Sequence, residues 1–319
     1  MSDKKVLVVF GATGGQGGSV IKSILGDPKT AEEFQIRAVT RDPSKPASVA
    51  LKEKGCEVVA ANLEDKDSLF AAIKGAYAVF AVTNFWEKMD GELEKKQGMN
   101  IADACKESEV QHLIWSSLIH VKRLTKGVLS EVHHFDAKAE VQDYITSLSI
   151  PATFFQAAFF MSNIPGGMMR PDPTTGAWTF ALPIPTNKPS FPLIDTKADT
   201  GKFVKGILLN REKVLGKEVY AGVDYYSMDE IVATFKEVYP EAGKNATAKQ
   251  ISHEEYKTVL GYAGMPVSVH EEMLQNLRLM DEYGYWGGAD LKWSQEIAGE
   301  KLTTWKEYVQ KEPQWKDLK

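Results

Sequence analysis

The stretch that most limits what this chain can become is VLVVFGATGGQGGSVIKSIL, Val6 to Leu25. An all-apolar run, Val6 to Phe10, breaks into five glycines within eight residues, and a helical pattern then resumes with Val20, Ile21, Ile24 and Leu25 on one face. Strand, tight turn and helix is the order this predicts. Gly11 lets the chain reverse sharply, Gly14 lets a pyrophosphate approach the backbone, and Gly17 lets helix and strand pack closely. The first helical turn then aims unpaired N–H groups and a positive dipole end at an anion. The spacing is GxxGxxG, not GxGxxG, so the glycines alone do not decide between a ligand site and an empty turn. The buried strand before them, the amphipathic helix after them and the strand–helix alternation beyond favour a dinucleotide.

Composition narrows the class. At 319 residues, 43% hydrophobic and 25% charged, the chain has ample core for one large domain or slightly more. A net charge of −5 without a long basic stripe disfavours nucleic acid. The start, MSDKKVLVVF, has no signal-peptide core, and no apolar run reaches spanning length, so a cytoplasmic protein with no membrane contact is expected, with nuclear entry left open. Cys56 and Cys105 read as small reduced core residues, neither a disulfide nor a metal site.

Along the chain, a helix lengthened by GDPKTAEEF leads to a second strand at Ile36–Thr40, followed by Arg41. An acidic residue here would suit a free ribose, whereas an arginine suits a 2′-phosphate, which favours NADP(H) over NAD(H). Lys45 adds a second cation, and Asp42 before Pro43 reads as a turn or cap residue. The third strand, Glu57–Ala60, ends at a loop with Asp65 beside the adenine. The fourth, Ala76–Val82, delivers Thr83, Asn84, Phe85 and Trp86 to the cleft. A helix from Gly91 to Glu107 carries Lys95 and Lys96 near the cleft side, either able to reach a phosphate or to remain a solvated face. A fifth strand ends at Ser116 and Ser117. A loop rich in Lys and Leu then precedes a helix opening at His133, and ATFFQ is the sixth strand. Six strands separated by helices predict an α/β, doubly wound parallel sheet over residues 1–156. Residues 157–319 form a smaller C-terminal α+β region, with pocket loops to Pro192, a capped helix at Asp199–Leu209 and a segment near 199–239 returning to the sheet.

Together GATGGQGGS, VTRDP, VTNFWE and HFDAKAEV resemble the NmrA-like family, a branch of the atypical short-chain dehydrogenase/reductase superfamily. The resemblance is strong over the first 165 residues and looser to LTTWKEYV. It implies a Rossmann-type NAD(P)-binding domain. Contacts implied at matched positions are Gly11, Thr13, Gly14, Gln16 and Gly17 for the phosphates and Arg41 and Lys45 for the 2′-phosphate. Asp65 would flank the adenine, Thr83, Asn84 and Phe85 line the cleft, and Lys96 add a cation. Lys138 would bond the nicotinamide ribose, and Phe160 to Asn163 border the nicotinamide.

One departure is informative. Active short-chain dehydrogenases pair a tyrosine with a lysine four residues on, one turn apart on a helix face. Here Lys138 is preceded at that spacing by His134, and no Tyr-x-x-x-Lys occurs anywhere in the chain. No catalytic residue is assigned with certainty: His134 can serve as an acid near neutral pH or simply pack beside the cofactor. The expectation is therefore an NADP(H)-binding regulatory protein, a redox sensor acting on a transcription factor or enzyme partner. The alternative is an NADPH-dependent reductase of a quinone-like or aromatic ligand. Some relatives self-associate, so a homodimer is also entertained.

Overall fold

The computed structural model describes residues 4–319. Its centre is a parallel sheet that begins with β1 (Lys5–Val9), β2 (Phe34–Thr40), β3 (Glu57–Ala60), β4 (Ala78–Ala81), β5 (His112–Ser117) and β6 (Ala152–Ala157). Four short strands follow, β7 (Phe159–Phe160), β8 (Met169–Pro171), β9 (Trp178–Leu182) and β10 (Phe191–Ile194), before β11 (Glu218–Ala221) rejoins the main sheet beside β6. The order is β3-β2-β1-β4-β5-β6-β11. It reverses at β1, which pairs with β2 on one side and β4 on the other. A crevice outside the carboxyl ends of β1 and β4 is therefore where a ligand belongs.

Both faces of the sheet are covered, which is why β4, β5 and β6 are buried along their whole length rather than at alternate residues. Leu7, Val9, Ala78 and Phe80 face one core, and Val8, Val79, Ala81 and Trp115 face the other. On the first face lie α1 (Gly15–Gly26) and, from far along the chain, α8 (Thr196–Leu209). They meet so closely that a Cβ on Gly201 would stand 2.1 Å from the Ser19 carbonyl oxygen. On the second face lie α4 (Lys66–Ile73), α5 (Gly91–Glu107) and α7 (His133–Ser147), with Gly98 of α5 pressed against Val141 and Trp115.

Three boundaries differ from expectation. The GDPKTAEEF segment does not extend α1. Asp27 stops it and caps a separate α2 (Pro28–Glu33), accepting from the N–H groups of Lys29 and Thr30. After α3 (Pro46–Glu53), the Lys- and Leu-rich loop contains a short α6 (Val121–Leu124). The capped helix expected from Asp199 starts at Thr196 because Asp195 is its cap; Asp199 is buried and accepts from Thr303.

Beyond β6 the chain builds two small three-stranded sheets, one with β12 (Tyr225–Tyr226) beside β10, the other with β13 (Thr247–Gln250) beside β9. Helices α9 (Arg211–Val214), α10 (Met228–Val238), α11 (His253–Tyr262), α12 (His270–Arg278), α13 (Lys292–Ala298) and α14 (Trp305–Val309) complete it. The first core runs unbroken from β1 and α1 into this region, where Trp178, Phe235, Trp305 and Trp315 pack on one another. Cys56 and Cys105 are both buried and free. Among the described residues no helix is long and apolar enough to cross a membrane.

Candidate functional site

The crevice begins at the glycine turn. Gly11 has φ +62°, a left-handed backbone that favours glycine, and its carbonyl accepts the Gly14 N–H at 2.8 Å. A Cβ on Gly17 would lie 2.3 Å from that carbonyl oxygen, so α1 can approach the end of β1 only without a side chain there. Gly14 is the N-cap and supplies no side-chain bond, which leaves the first-turn N–H groups of a twelve-residue helix without a cap. Thr13 and Gly14 are exposed, and Gln16 is held by Ser116, whose hydroxyl donates to Gln16 Oε1 at 2.8 Å. An uncapped helix terminus behind a glycine-bounded turn fits a pyrophosphate.

Past the end of β2, Arg41 is exposed and its guanidinium donates to Glu87 Oε1 at 2.6 Å, linking the segments that follow β2 and β4. Asp42 is a turn residue as expected, accepting from the N–H and hydroxyl of Ser44, which hold its carboxyl below the usual carboxylate range. Lys45 is exposed before α3. Asp65 is committed differently from the adenine role: its carboxylate caps α4, accepting from the N–H groups of Asp67 and Ser68.

Deeper in, Lys138 of α7 is buried among polar acceptors. Its ammonium donates to Glu94 Oε1 at 2.5 Å, Thr83 Oγ1 at 2.7 Å and the Thr83 carbonyl at 3.2 Å, so its three protons all have partners. Thr83 in turn donates to Glu94 at 2.7 Å, and Lys138 Nζ sits 5.9 Å from the Trp115 ring centre. Lys96 does not share this position: two residues from Glu94, about 200° round the helix, it is exposed. Lys95 pairs with Glu92 and Glu140. Ser116 and Ser117 are not both open to the cleft, because successive strand residues face opposite ways. Ser116 meets Gln16, whereas Ser117 donates to Gln142 of α7 at 2.6 Å.

One helical turn before Lys138 stands His134, with its ring centre 5.7 Å from that of Phe85 and 4.9 Å from that of Trp86. Phe85 is buried, Trp86 exposed and Asn84 exposed at the rim. Glu272 of α12 reaches across from the C-terminal region. Its Oε1 accepts the His134 backbone N–H at 2.8 Å and the ring Nδ1–H at 2.6 Å. A carboxylate thus caps the first turn of α7, whose N-cap Val132 offers no side-chain bond. Phe160, in β7, is half-buried, and Asn163 in the turn that follows is exposed.

Two residues escaped the sequence reading. Glu94 recurs with Gly98, Ile101 and Cys105 on the inward face of α5, and a carboxylate in that register was the available signal. Glu272 gave none, since nothing local links α12 to α7.

A doubly wound parallel sheet with a glycine-bounded turn and helix terminus at its switch point defines a Rossmann-type α/β protein. Residues 3–309 match the NmrA-like family, and the chain belongs to that family. It is 31% identical over 247 residues to the NmrA-like family domain-containing oxidoreductase hkm9 of Aspergillus hancockii, covering 73% of this chain and 72% of that one. It is 30% identical over 250 residues to the corresponding oxidoreductase FrzB of Cladobotryum sp, 73% of each. Among solved structures, NmrA, a negative transcriptional regulator in complex with NADP, superposes with a TM-score of 0.78 at 19% identity over 97% and 95% of the two chains. The NADPH-dependent quinone oxidoreductase QOR2 of Escherichia coli, complexed with NADPH, does so at 0.74 and 19% over 95% and 98%.

Proposed function

We propose that this crevice binds NADP(H) and reduces a planar aromatic, quinone-like acceptor. The observation that carries the reading is the pairing of a buried imidazole, His134, with the rings of Phe85 and Trp86 one helical turn from Lys138. The Gly11–Gly17 turn, with Thr13 and Gln16, holds the pyrophosphate on the open end of α1. Arg41, released from Glu87, and Lys45 take the 2′-phosphate. Lys138, Thr83 and Asn84 face the nicotinamide ribose, and Phe160 and Asn163 border the ring beyond it. When bound, the reduced nicotinamide supplies a hydride. Relatives named as oxidoreductases support the reading, as does a fold shared with a quinone oxidoreductase.

A second reading has its own observation. The His134–Glu272 bond ties the crevice to the C-terminal region, so a cofactor that moves His134 also moves α12 and changes the surface offered to a regulatory protein partner. One assay separates the two. Purified protein is mixed with NADPH and a quinone panel, and absorbance of the reduced cofactor is followed. Sustained loss of absorbance supports the reductase, while tight binding without loss supports the sensor.

A further inference from the structure

We infer that His134 donates the proton that completes reduction of the acceptor, and that Glu272 is the residue positioning it; this rests on the reductase reading above. The usual donors in the crevice are engaged. The protons of Lys138 go to Thr83 and Glu94, the Ser117 hydroxyl to Gln142, the Ser116 hydroxyl to Gln16, and the Tyr285 hydroxyl to the Ala157 carbonyl. No tyrosine stands four residues before a lysine. His134 differs. Its Nδ1 and backbone N–H are both held by one oxygen of Glu272, whereas Nε2 has no hydrogen-bond partner among the described residues and is not sealed from solvent.

The tautomer follows from Glu272. A carboxylate can only accept, so Glu272 takes the ring Nδ1–H as it takes the backbone N–H, and Nδ1 carries a proton. Nε2 is therefore the nitrogen that gains and gives up a proton. The rings of Phe85, Trp86 and Phe135 surround the imidazole, their centres 5.7, 4.9 and 4.8 Å from its own.

The chemistry balances with NADPH as reductant. The acceptor gains a hydride, with its electron pair, from the reduced nicotinamide, which ends oxidised. As the product O–H bond forms at the acceptor oxygen, the Nε2–H bond of the imidazolium breaks, and water then returns a proton to the neutral ring. Glu272 keeps its grip on Nδ1–H throughout.

His134→Asn places an amide nitrogen where Nδ1 was, keeping the Glu272 bond while removing Nε2. It is expected to lower kcat with a quinone about 100-fold, with NADPH affinity and melting temperature unchanged. Glu272→Gln should lower kcat about tenfold and leave KM for NADPH in place, a split that a merely structural role would not give. Nitrogen-15 NMR of the imidazole, without acceptor, should show the neutral ring protonated at Nδ1. Protonation at Nε2 instead, or a His134→Asn variant that keeps the wild-type kcat, overturns the assignment while leaving the reductase reading intact. A wild-type protein that binds NADPH yet reduces no quinone removes the reading and the assignment with it.

Discussion

Lys138 Nζ and Glu94 Oε1 lie 2.5 Å apart in a part of the molecule where the carboxylate side chain is 2% exposed and the lysine side chain 11%. The pair joins α7 to α5, and Thr83 at the end of β4 closes the triangle. The other carboxylate oxygen, Glu94 Oε2, is buried without a partner among the described residues, so Oε1 alone carries the contacts, to Lys138 and to the Thr83 hydroxyl.

Such a pair is costly to break from one side. Desolvation of both ions is offset by their mutual attraction, and deleting one leaves the other buried and alone. Glu94→Ala is expected to destabilise the fold by roughly 3–5 kcal/mol, read as a lower urea midpoint. The double replacement Glu94→Leu with Lys138→Met should recover most of that loss, because it removes both charges and fills the space with apolar volume.

The glycine turn gives a sharper contrast. Gly17→Ala would bring a Cβ to 2.3 Å from the Gly11 carbonyl oxygen and 2.6 Å from that of Phe10, both main-chain atoms that cannot swing aside. We expect a loss of about 3 kcal/mol together with loss of NADPH binding by fluorescence titration. Gly15→Ala meets the Thr196 methyl at 3.5 Å and Lys197 Cγ at 4.0 Å, both ordinary contacts, and should keep full stability.

Much of this architecture is legible in the residues. The Val6–Leu25 stretch announces strand, turn and helix because its periodicity changes where the glycines fall, and β3, α4 and α5 sit where turn and cap residues put them. Side-chain roles were harder to read. Asp65 looked available to a ligand, but a carboxylate just before a helix is drawn to that helix's own N–H groups. Lys96 looked like a cleft cation because its charge is visible in sequence and its direction around the helix is not. The missing tyrosine pointed first to a sensor without turnover. Glu272, 138 residues beyond His134, could not be anticipated, because contacts of such separation leave no local pattern. The return of β11 to the sheet was readable; the two small sheets beyond β6 were not, their strands being two to five residues long.

Cofactor discrimination should turn on Arg41 and Glu87 jointly. The Arg41 side chain is 75% exposed and, among the described residues, held by the Glu87 carboxylate, a contact that a 2′-phosphate bound there would displace. Arg41→Ala should weaken NADP(H) far more than NAD(H) by calorimetry. Glu87→Gln should do the reverse, tightening NADP(H) about threefold, since an exposed pair is worth under about 1 kcal/mol, with NAD(H) unchanged. Equal weakening of both cofactors in Arg41→Ala would move the 2′-phosphate elsewhere.

Stability should also depend on pH through His112 at the start of β5. Thr153 uses its hydroxyl proton on the Val214 carbonyl, so His112 Nε2 must donate to Thr153 Oγ1, and Nδ1 is left unprotonated, sealed and unpartnered. Burial, helped by the nearby Arg211 charge, pushes the ring down from its ordinary 6.5 to about 4. Above pH 6.5 neither folded nor unfolded chain binds this proton, and the residue contributes no slope. Between pH 6.5 and about 4 the unfolded chain takes it up and the folded chain does not, so stability falls as pH drops through that window. The slope is at most about 1.4 kcal/mol per pH unit. Urea midpoints at pH 7, 6 and 5 should therefore decline more steeply for the wild type than for His112→Gln, whose amide nitrogen can keep the Thr153 bond without titrating. Parallel declines in the two proteins would show that His112 carries a proton in the folded state after all.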